Sequence, residues 1–219
     1  MQVTSLNIVF QKLMLKRRYI FRTHTSDEID CSTLNFQDSY KLVIFKSIAE
    51  IENEAFQDNV KAFCKQKYGY EGANFRLNSK NWICFILIDK KTDEIAGISW
   101  LICPEGKPYW YDNVKFGGKE SHLANIFILP KFRGNKLGQF LNHITFKYSF
   151  DIGYQSASAI VESYRKIAIH NQSKYSKKVA VNYLIKLLGI NLFSVLYNGR
   201  NSVWYVGPGS RKKWKLIDK

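Results

Sequence analysis

The chain has 219 residues, 46% of them hydrophobic, and a formal net charge of +15. That length and apolar content suit one large domain with a packed core, with or without an extension, and the basic balance favours anionic partners: coenzyme phosphates, nucleotide-linked substrates, nucleic acid or an anionic membrane face. No run approaches the roughly 18 apolar residues of a helical membrane span, no Ser-His-Asp order, zinc spacing or Walker loop is present, and Cys31, Cys64, Cys84 and Cys103 contain no Cys-x-x-Cys pair, so reduced core thiols are expected.

Residues 1–35 read as an N-terminal extension. Leu6, Val9, Phe10, Leu13 and Met14 are spaced for one helix face, and Tyr19-Ile20-Phe21 continues that helix or begins a strand. Lys12, Lys16, Arg17 and Arg18 interrupt what would be the apolar region of a signal peptide, so a cytoplasmic location is expected. The same basic-apolar segment also suits peripheral contact with a membrane surface. Tyr40–Phe45 reads as a strand. Ser47 with Glu50 three residues on is a capping-box pattern opening a helix that runs to about Tyr68, with a break at 56–59 that would make it two; 69–79 reads as loop.

Trp82–Ile88 and Ile95–Ile102 read as a hairpin turned by 89–94. The segment 104–118 reads as an irregular aromatic loop around Tyr109-Trp110-Tyr111, with Asp112 beside it. A strand over about 121–129 follows, then a helix stopped at Gly153. Ser158–Ser163 reads as a strand and 168–188 as mostly helix, ended by Gly189. Leu192–Tyr197 and Ser202–Val206 form a last hairpin around Asn198-Gly199, and 211–219 is a basic tail.

The most informative stretch is Asn125-Ile126-Phe127-Ile128-Leu129-Pro130-Lys131-Phe132-Arg133-Gly134-Asn135-Lys136-Leu137-Gly138. An apolar strand is ended by a proline, which cannot donate to a sheet ladder. A glycine-bearing loop then leads into apolar residues at helical spacing: Leu137, Phe140, Leu141, Ile144 and Tyr148. Such a loop aims free N–H groups and the positive end of a helix dipole at one point, which suits a phosphate or pyrophosphate.

Residues 130–138 resemble the acyl-CoA signature of the GCN5-related N-acetyltransferase (GNAT) superfamily, Gln/Arg-x-x-Gly-x-Gly/Ala. Arg133 matches its first position and Gly138 its last, while Lys136 stands where the middle glycine usually is. The element order from Tyr40 to Val206 is similar to that fold: an α/β, mostly antiparallel mixed sheet with splayed fourth and fifth strands, flanked by helices. The resemblance spans 36–210, leaving 1–35 and 211–219 outside.

What the resemblance implies is an enzyme, an acyl-CoA-dependent N-acyltransferase, with acetyl-CoA as cofactor and an amine as acceptor. The backbones of Phe127 and Ile128 would pair with the pantetheine arm. The amides of Arg133, Gly134, Asn135, Lys136, Leu137 and Gly138 would hold the pyrophosphate, with Asn171 also at the cofactor. Tyr175 would protonate the leaving thiolate, although it follows Asn171 by four residues where the family has about seven, and Tyr164 is a second candidate. His122 and Glu162 are candidates for the base, and a histidine titrates near neutrality. By analogy with surface-polysaccharide assembly the acceptor would be an amino sugar; a peptide or polyamine also fits the aromatic loop. The other readings are a non-catalytic acyl-CoA- or protein-binding module, and a nucleic-acid or membrane-surface binder, of which nucleic acid is the less favoured partner. Oligomeric state, acyl length and the general base are not legible.

Overall fold

A computed structural model describes residues 13–24, 36, 38–111, 114–174, 176–187, 190–197 and 202–206. In chain order these form β1 (Leu13–Thr23), β2 (Tyr40–Phe45), α1 (Glu54–Asn78), β3 (Trp82–Asp89), β4 (Glu94–Ile102), β5 (Tyr109–Tyr111), β6 (Val114–Phe116), β7 (Glu120–Ile128), α2 (Leu137–Asp151), β8 (Ser156–Glu162), α3 (Lys166–Ser173), β9 (Lys177–Leu187), β10 (Ile190–Tyr197) and β11 (Ser202–Val206). Short 3-10 turns occupy Ile48–Glu50 and Pro130–Phe132. The described residues fall into two compact units, one within Met1–Thr23, Pro108–Gly117 and Ser158–Lys219, the other within His24–Lys107 and Gly118–Ala157.

The second unit holds four antiparallel strands in the order β7-β4-β3-β2. Every residue from Trp82 to Ile88 and from Ile95 to Ile102 is buried, so the two central strands are near-continuous apolar runs covered on both faces. The expected hairpin is present, paired from Trp82↔Ile102 to Asp89↔Glu94. On one face α2 presses Leu137 and Leu141 into Ile83, Phe85, Leu87, Ala96 and Leu101. Lower on the same helix the contacts are hydroxyl pairs, Ser99 with Thr145 (3.1 Å) and Ser121 with Ser149 (2.5 Å), all buried. Each buried hydroxyl therefore has a partner, as burial requires.

The structure corrects the expected helix boundaries. Ser47 and Glu50 do cap, but only the 3-10 turn: Ala49 N donates to Ser47 Oγ (3.3 Å) and Lys46 N to Glu50 Oε2 (2.9 Å). The α-helix starts later, where Asn53 Oδ1 accepts from Phe56 N (2.9 Å). It does not break at 56–59 but at Gly69 (φ 73°), and 70–78, read as loop, resumes the helix. Only a residue without a Cβ takes that φ without strain. The aromatic edges of Phe75 and Trp82, and of Trp82 and Trp100, then meet at 5.7 and 5.9 Å, with the Arg76 guanidinium 4.3 Å from the Tyr68 ring centroid. These contacts hold the resumed turn against β3 and β4.

The first unit contains the strand order β11-β10-β9-β1-β8. Residues 13–23, read within the extension 1–35 with Leu13 and Met14 on a helix face and 19–21 as its continuation or a strand, are a long strand, paired antiparallel with β9 from Leu13↔Leu187 to Arg22↔Lys177. Residues 177–187, read as helix, are its partner. Ala180, Asn182 and Leu184 are buried while Val179, Val181, Tyr183 and Ile185 are half-buried. That is a period of two, and the β-branched residues favour it. Arg18, opposite Asn182 in this ladder, is buried and donates through Nε and Nη2 to Asn182 Oδ1 (3.2 and 2.6 Å). The expected last hairpin is present as β10–β11, its turn lying outside the described residues. Within the segment read as an irregular loop, Tyr109–Tyr111 and Val114–Phe116 pair as a small hairpin of their own.

Candidate functional site

The end of β7 is shaped by a bulge. Ile98 pairs with Phe127 and Trp100 with Ala124, so Asn125 and Ile126 together face Ser99, and Asn125 takes the left-handed conformation (φ 57°). An extra residue of this kind bends a strand and re-aims the side chains beyond it. Ile126 and Ile128 both pack toward the α2 core. Phe127 points to the other face, its ring 6.2 Å from that of Phe63 and 3.5 Å from Lys67 Nζ.

Gly97, opposite Ile128, permits the close approach of β4 here. A Cβ on it would stand 2.5 Å from Ile128 Cδ1 and 3.1 Å from Phe127 O. Leu129 N closes the ladder on Ala96 O (3.0 Å), and Pro130 opens the 3-10 turn, with Phe132 N on Leu129 O (3.0 Å) and Arg133 N on Pro130 O (3.2 Å). Arg133 is fastened to the strand: its Nε donates to Ile128 O (3.2 Å) and its guanidinium lies 6.0 Å from the Phe127 ring. Lys131 pairs with Glu94, and with Thr92 this holds the exposed Glu94 carboxyl below its ordinary pKa.

Gly134 (φ 91°) and Lys136 (φ 57°) then turn the chain into α2. Lys136 therefore adopts the backbone that a glycine would take freely, at a cost of about 1–2 kcal/mol for a side-chain-bearing residue. Its carbonyl accepts from Gln139 N (2.9 Å) and Phe140 N (3.1 Å). The five successive amides of Gly134, Asn135, Lys136, Leu137 and Gly138 donate to no other described residue, and no side chain caps the helix. The first turn of any helix leaves such donors; here the loop before it adds three more, all preceding the positive end of the dipole. Packing does not require glycine at 138, because a Cβ there would meet only Ile128 Cγ1, at 3.8 Å. Residues 134–138 thus suit a pyrophosphate: a run of donors with no partner among the described residues, and room for a Cβ at Gly138.

Beside this turn, through Asn135, lies an open groove of about 680 Å³. Phe36 and Tyr40 wall it, with Asp89, Lys90 and Lys91 on the hairpin side and Asp38 beside Tyr40, so its charges are mixed. The rings of Phe36 and Phe140 pack at 5.0 Å and those of Tyr40 and Phe132 at 6.5 Å, so the groove and the turn share an aromatic floor.

The other expected residues are more scattered. His122 is buried on β7, opposite Ile102, roughly 20 Å along the strand from Ile128 at the rise of an extended chain. Glu162 is the half-buried last residue of β8. Asn171, expected to start a helix, lies near the end of α3, half-buried. Tyr164 is 69% exposed with the Arg165 guanidinium 5.7 Å from its ring centroid. Tyr175 and Asp112 lie outside the described residues. No group of three His, Cys, Asp or Glu side chains among the described residues is placed to hold a metal ion.

The described thiols are not nucleophiles. Burial pushes Cys64 and Cys103 up to about 12 and holds Cys84 well above its ordinary range, and a protonated, enclosed thiol does not attack. Tyr68 is also raised by burial, its hydroxyl accepting from Trp100 Nε1 (3.2 Å). Sequence reasoning missed Gly97, Phe63 and Lys67. An isolated glycine inside an apolar strand is a signal of close approach and would have found the first; nothing in the sequence marks the other two.

No protein-family profile matches the chain, and no curated protein is similar to it in sequence. Solved structures are similar to it in fold. The glucosamine N-acetyltransferase region, described as GCN5-related, of a fungal multi-domain GH3 β-N-acetylglucosaminidase aligns over 85% of this chain and 22% of its own, at 11% identity and a TM-score of 0.54. A Drosophila protein from structural genomics aligns over 86% of this chain and 57% of its own, at 11% identity and 0.56. An aminoglycoside N-acetyltransferase, AAC(6')-Iy, in complex with a bisubstrate analogue of coenzyme A, is similar over 64% of this chain and 92% of its own, at 12% identity and 0.47. The chain spans just over half of the Drosophila protein and about a fifth of the fungal enzyme. Its fold is that of the GCN5-related N-acetyltransferases, a mixed α/β architecture.

Proposed function

We propose, starting from that fold, that the protein is an acyl-CoA-dependent N-acyltransferase acting on a primary amine, with acetyl-CoA as the first cofactor to test. One observation carries the reading: five successive backbone N–H groups, Gly134 to Gly138, stand without a partner among the described residues at the head of α2, in the stretch that resembles the acyl-CoA signature. These amides bind the pyrophosphate, and the dipole of the 15-residue α2 adds to their attraction. Phe127 and Ile128 supply main-chain groups along the strand that leads to the turn. The groove beside Asn135, lined by Asp38 and Asp89 as well as by Lys90 and Lys91, offers the Phe36 and Tyr40 rings to stack on a base.

The bound coenzyme supplies an acyl group activated as a thioester. For the amine to attack it must first be neutral, so a group of this chain or an ordered water must take its proton. Glu162 and His122 are the proposed carriers, and Tyr175 the proposed donor to the departing sulfur. Balance is simple: a C–N bond forms, a C–S bond breaks, and one proton passes from nitrogen to sulfur. The buried, protonated thiols fit a reducing compartment such as the cytoplasm. We further propose a sugar as the carrier of the amine, an assignment consistent with the glucosamine-acetylating region that shares the fold.

The test is acetyl-CoA consumption against a panel of amines, run after calorimetry with coenzyme A. Binding with turnover of at least one amine supports the enzyme. Binding with no turnover across the panel replaces it with a coenzyme-binding module.

A further inference from the structure

Charge is divided between the two compact units in a way the total conceals. Of the 33 lysines and arginines, 18 fall in residues 1–23, 108–117 and 158–219, the segments of the first unit, together with 3 of the 18 acids. The first unit therefore holds the whole net charge of +15, while the 15 cations and 15 acids of the second cancel. A basic excess gathered into one part of a chain is the electrostatic footprint of a polyanionic partner.

The excess meets aromatic rings on one face of the sheet formed by β1, β9 and β10. Arg18, Ile20, Ala180, Asn182 and Leu184 turn to the buried side. Alternation puts Arg17, Tyr19, Val181 and Tyr183 on the other side, where Arg17 is exposed and the remaining three are half-buried. Arg17 stands opposite Tyr183, and Tyr19 opposite Val181, which is in turn opposite the exposed Tyr197. Directly paired residues share a face, so three tyrosines on three neighbouring strands lie on it. The Arg17 guanidinium is 5.2 Å from the Tyr19 ring centroid and 5.6 Å from that of Tyr183, and Nζ of the exposed Lys178 is 5.0 Å from Tyr19. Cation–π attraction keeps these charges at the rings. At the edge of β1, Ser163 N donates to Arg17 O (2.9 Å), and the chain continues into the exposed Tyr164 with the Arg165 guanidinium beside its ring. Glu162 is the one carboxylate among the unit's described residues, half-buried and with a partner of its own.

We propose that this face binds a single-stranded polynucleotide, its bases stacking on Tyr19 and Tyr183, with Tyr197 extending the row, and its phosphates meeting Arg17 and Lys178. Rings that take any base by its flat side, interleaved with cations that take the backbone, are what an unpaired strand requires. A duplex hides the flat sides of its bases and a base-free polyanion has none, so both are poorer ligands. A membrane surface would instead draw on exposed aliphatic side chains to insert, and Ile167 is the one aliphatic among the unit's exposed large apolar residues that the structure describes. Composition alone ranks nucleic acid below a membrane; the placement of the three rings reverses that order. The face is independent of the coenzyme site, whose residues 127–138 belong to the second unit.

The experiment is fluorescence anisotropy on the full-length protein with labelled oligouridylate and oligothymidylate of about 15 nucleotides, enough to cover one such site. Duplex DNA of equal length and inorganic polyphosphate serve as competitors, and phosphatidylserine vesicles are tested by sedimentation. The variants are Tyr19→Leu, Tyr19→Phe, Tyr183→Leu and Arg17→Gln, each checked by thermal unfolding. A single strand binds at least tenfold tighter than duplex or polyphosphate, a gap of about 1.4 kcal/mol, and its affinity falls as salt rises. Each leucine variant loses about tenfold, and Tyr19→Phe keeps wild-type affinity because the ring remains. Arg17→Gln lowers the salt slope by about 0.7, the share of one phosphate contact on a single strand. Arg17 is exposed and tolerates the change, so the test stands even where a leucine variant does not fold. Absence of single-strand binding, equal affinity for polyphosphate or duplex, full affinity in both leucine variants, or a wild-type salt slope in Arg17→Gln overturns the proposal. Sedimentation with vesicles in the absence of single-strand binding overturns it likewise and assigns the face to a membrane.

Discussion

At Gly138 stability and function separate cleanly. A methyl there meets nothing closer than 3.8 Å, and alanine suits a helix better than glycine by up to about 1 kcal/mol. Gly138→Ala is therefore expected to keep or raise Tm by about 2–4 °C, the shift for 1 kcal/mol in a chain of this size. It is also expected to weaken coenzyme A binding, because the methyl occupies the space a pyrophosphate needs. Thermal unfolding beside calorimetry reads both. A variant with lowered Tm, or unchanged affinity, would contradict the assignment. Gly97 behaves oppositely: the added Cβ collides with Ile128 and the Phe127 carbonyl, so Gly97→Ala loses about 1–3 kcal/mol, the usual cost of overpacking, and urea unfolding measures it. The loop was legible in the sequence because proline, glycine and apolar spacing are local signals. The left-handed Lys136 was not, since lysine carries no preference for that backbone and only the surrounding chain imposes it.

Among the elements, α2 does two jobs: it aims its head at the candidate site and seals one face of the sheet. Leu141, fully buried in that face, is the pin between them. Leu141→Ala should destabilise by about 2–5 kcal/mol, the range for emptying a buried leucine site, and loosen the turn at 134–138 with it. Hydrogen exchange provides the check, with faster exchange at the head of α2; protection there equal to wild type would show that the turn holds independently. The hairpin β3–β4, β7 and α2 were all readable from their patterns. The misreadings share one cause. Residues 177–187 contain apolar positions that satisfy either period locally, and only the long-range pairing with β1 selects two over 3.6. The break in α1 was misplaced because Asp and Asn at 58–59 look like breakers, whereas Gly69 is the residue whose backbone departs from the helix.

For the whole molecule, burial of the thiols sets a pH limit. Their native pKa values are raised, so the neutral form is favoured by folding and its contribution is fully present below the unfolded value of about 8.5. Above that pH the unfolded chain loses protons that Cys64 and Cys103 keep until about 12. Tm should therefore fall steadily from pH 8.5 upward, and Cys64→Ala should flatten that fall while lowering Tm at pH 7. A Tm independent of pH between 8 and 11 would show the thiols to be solvated. Fold class was accessible from sequence because element order survives at 11% identity to structures of the same fold. The meeting of Lys67 and Arg133 at the Phe127 ring was not, because one comes from α1 and the other from the turn, far apart along the chain.

The proposed coenzyme site depends on main-chain amides at 134–138 gripping a diphosphate. Calorimetric titration of the wild-type protein with coenzyme A and, separately, with pantetheine, which lacks the diphosphate, tests it most directly. The expected result is saturable coenzyme A binding with a raised Tm and an affinity that weakens with salt, and pantetheine binding at least tenfold weaker, a gap of about 1.4 kcal/mol. Equal affinity for the two ligands, or no heat and no change in Tm with saturating coenzyme A, would contradict it.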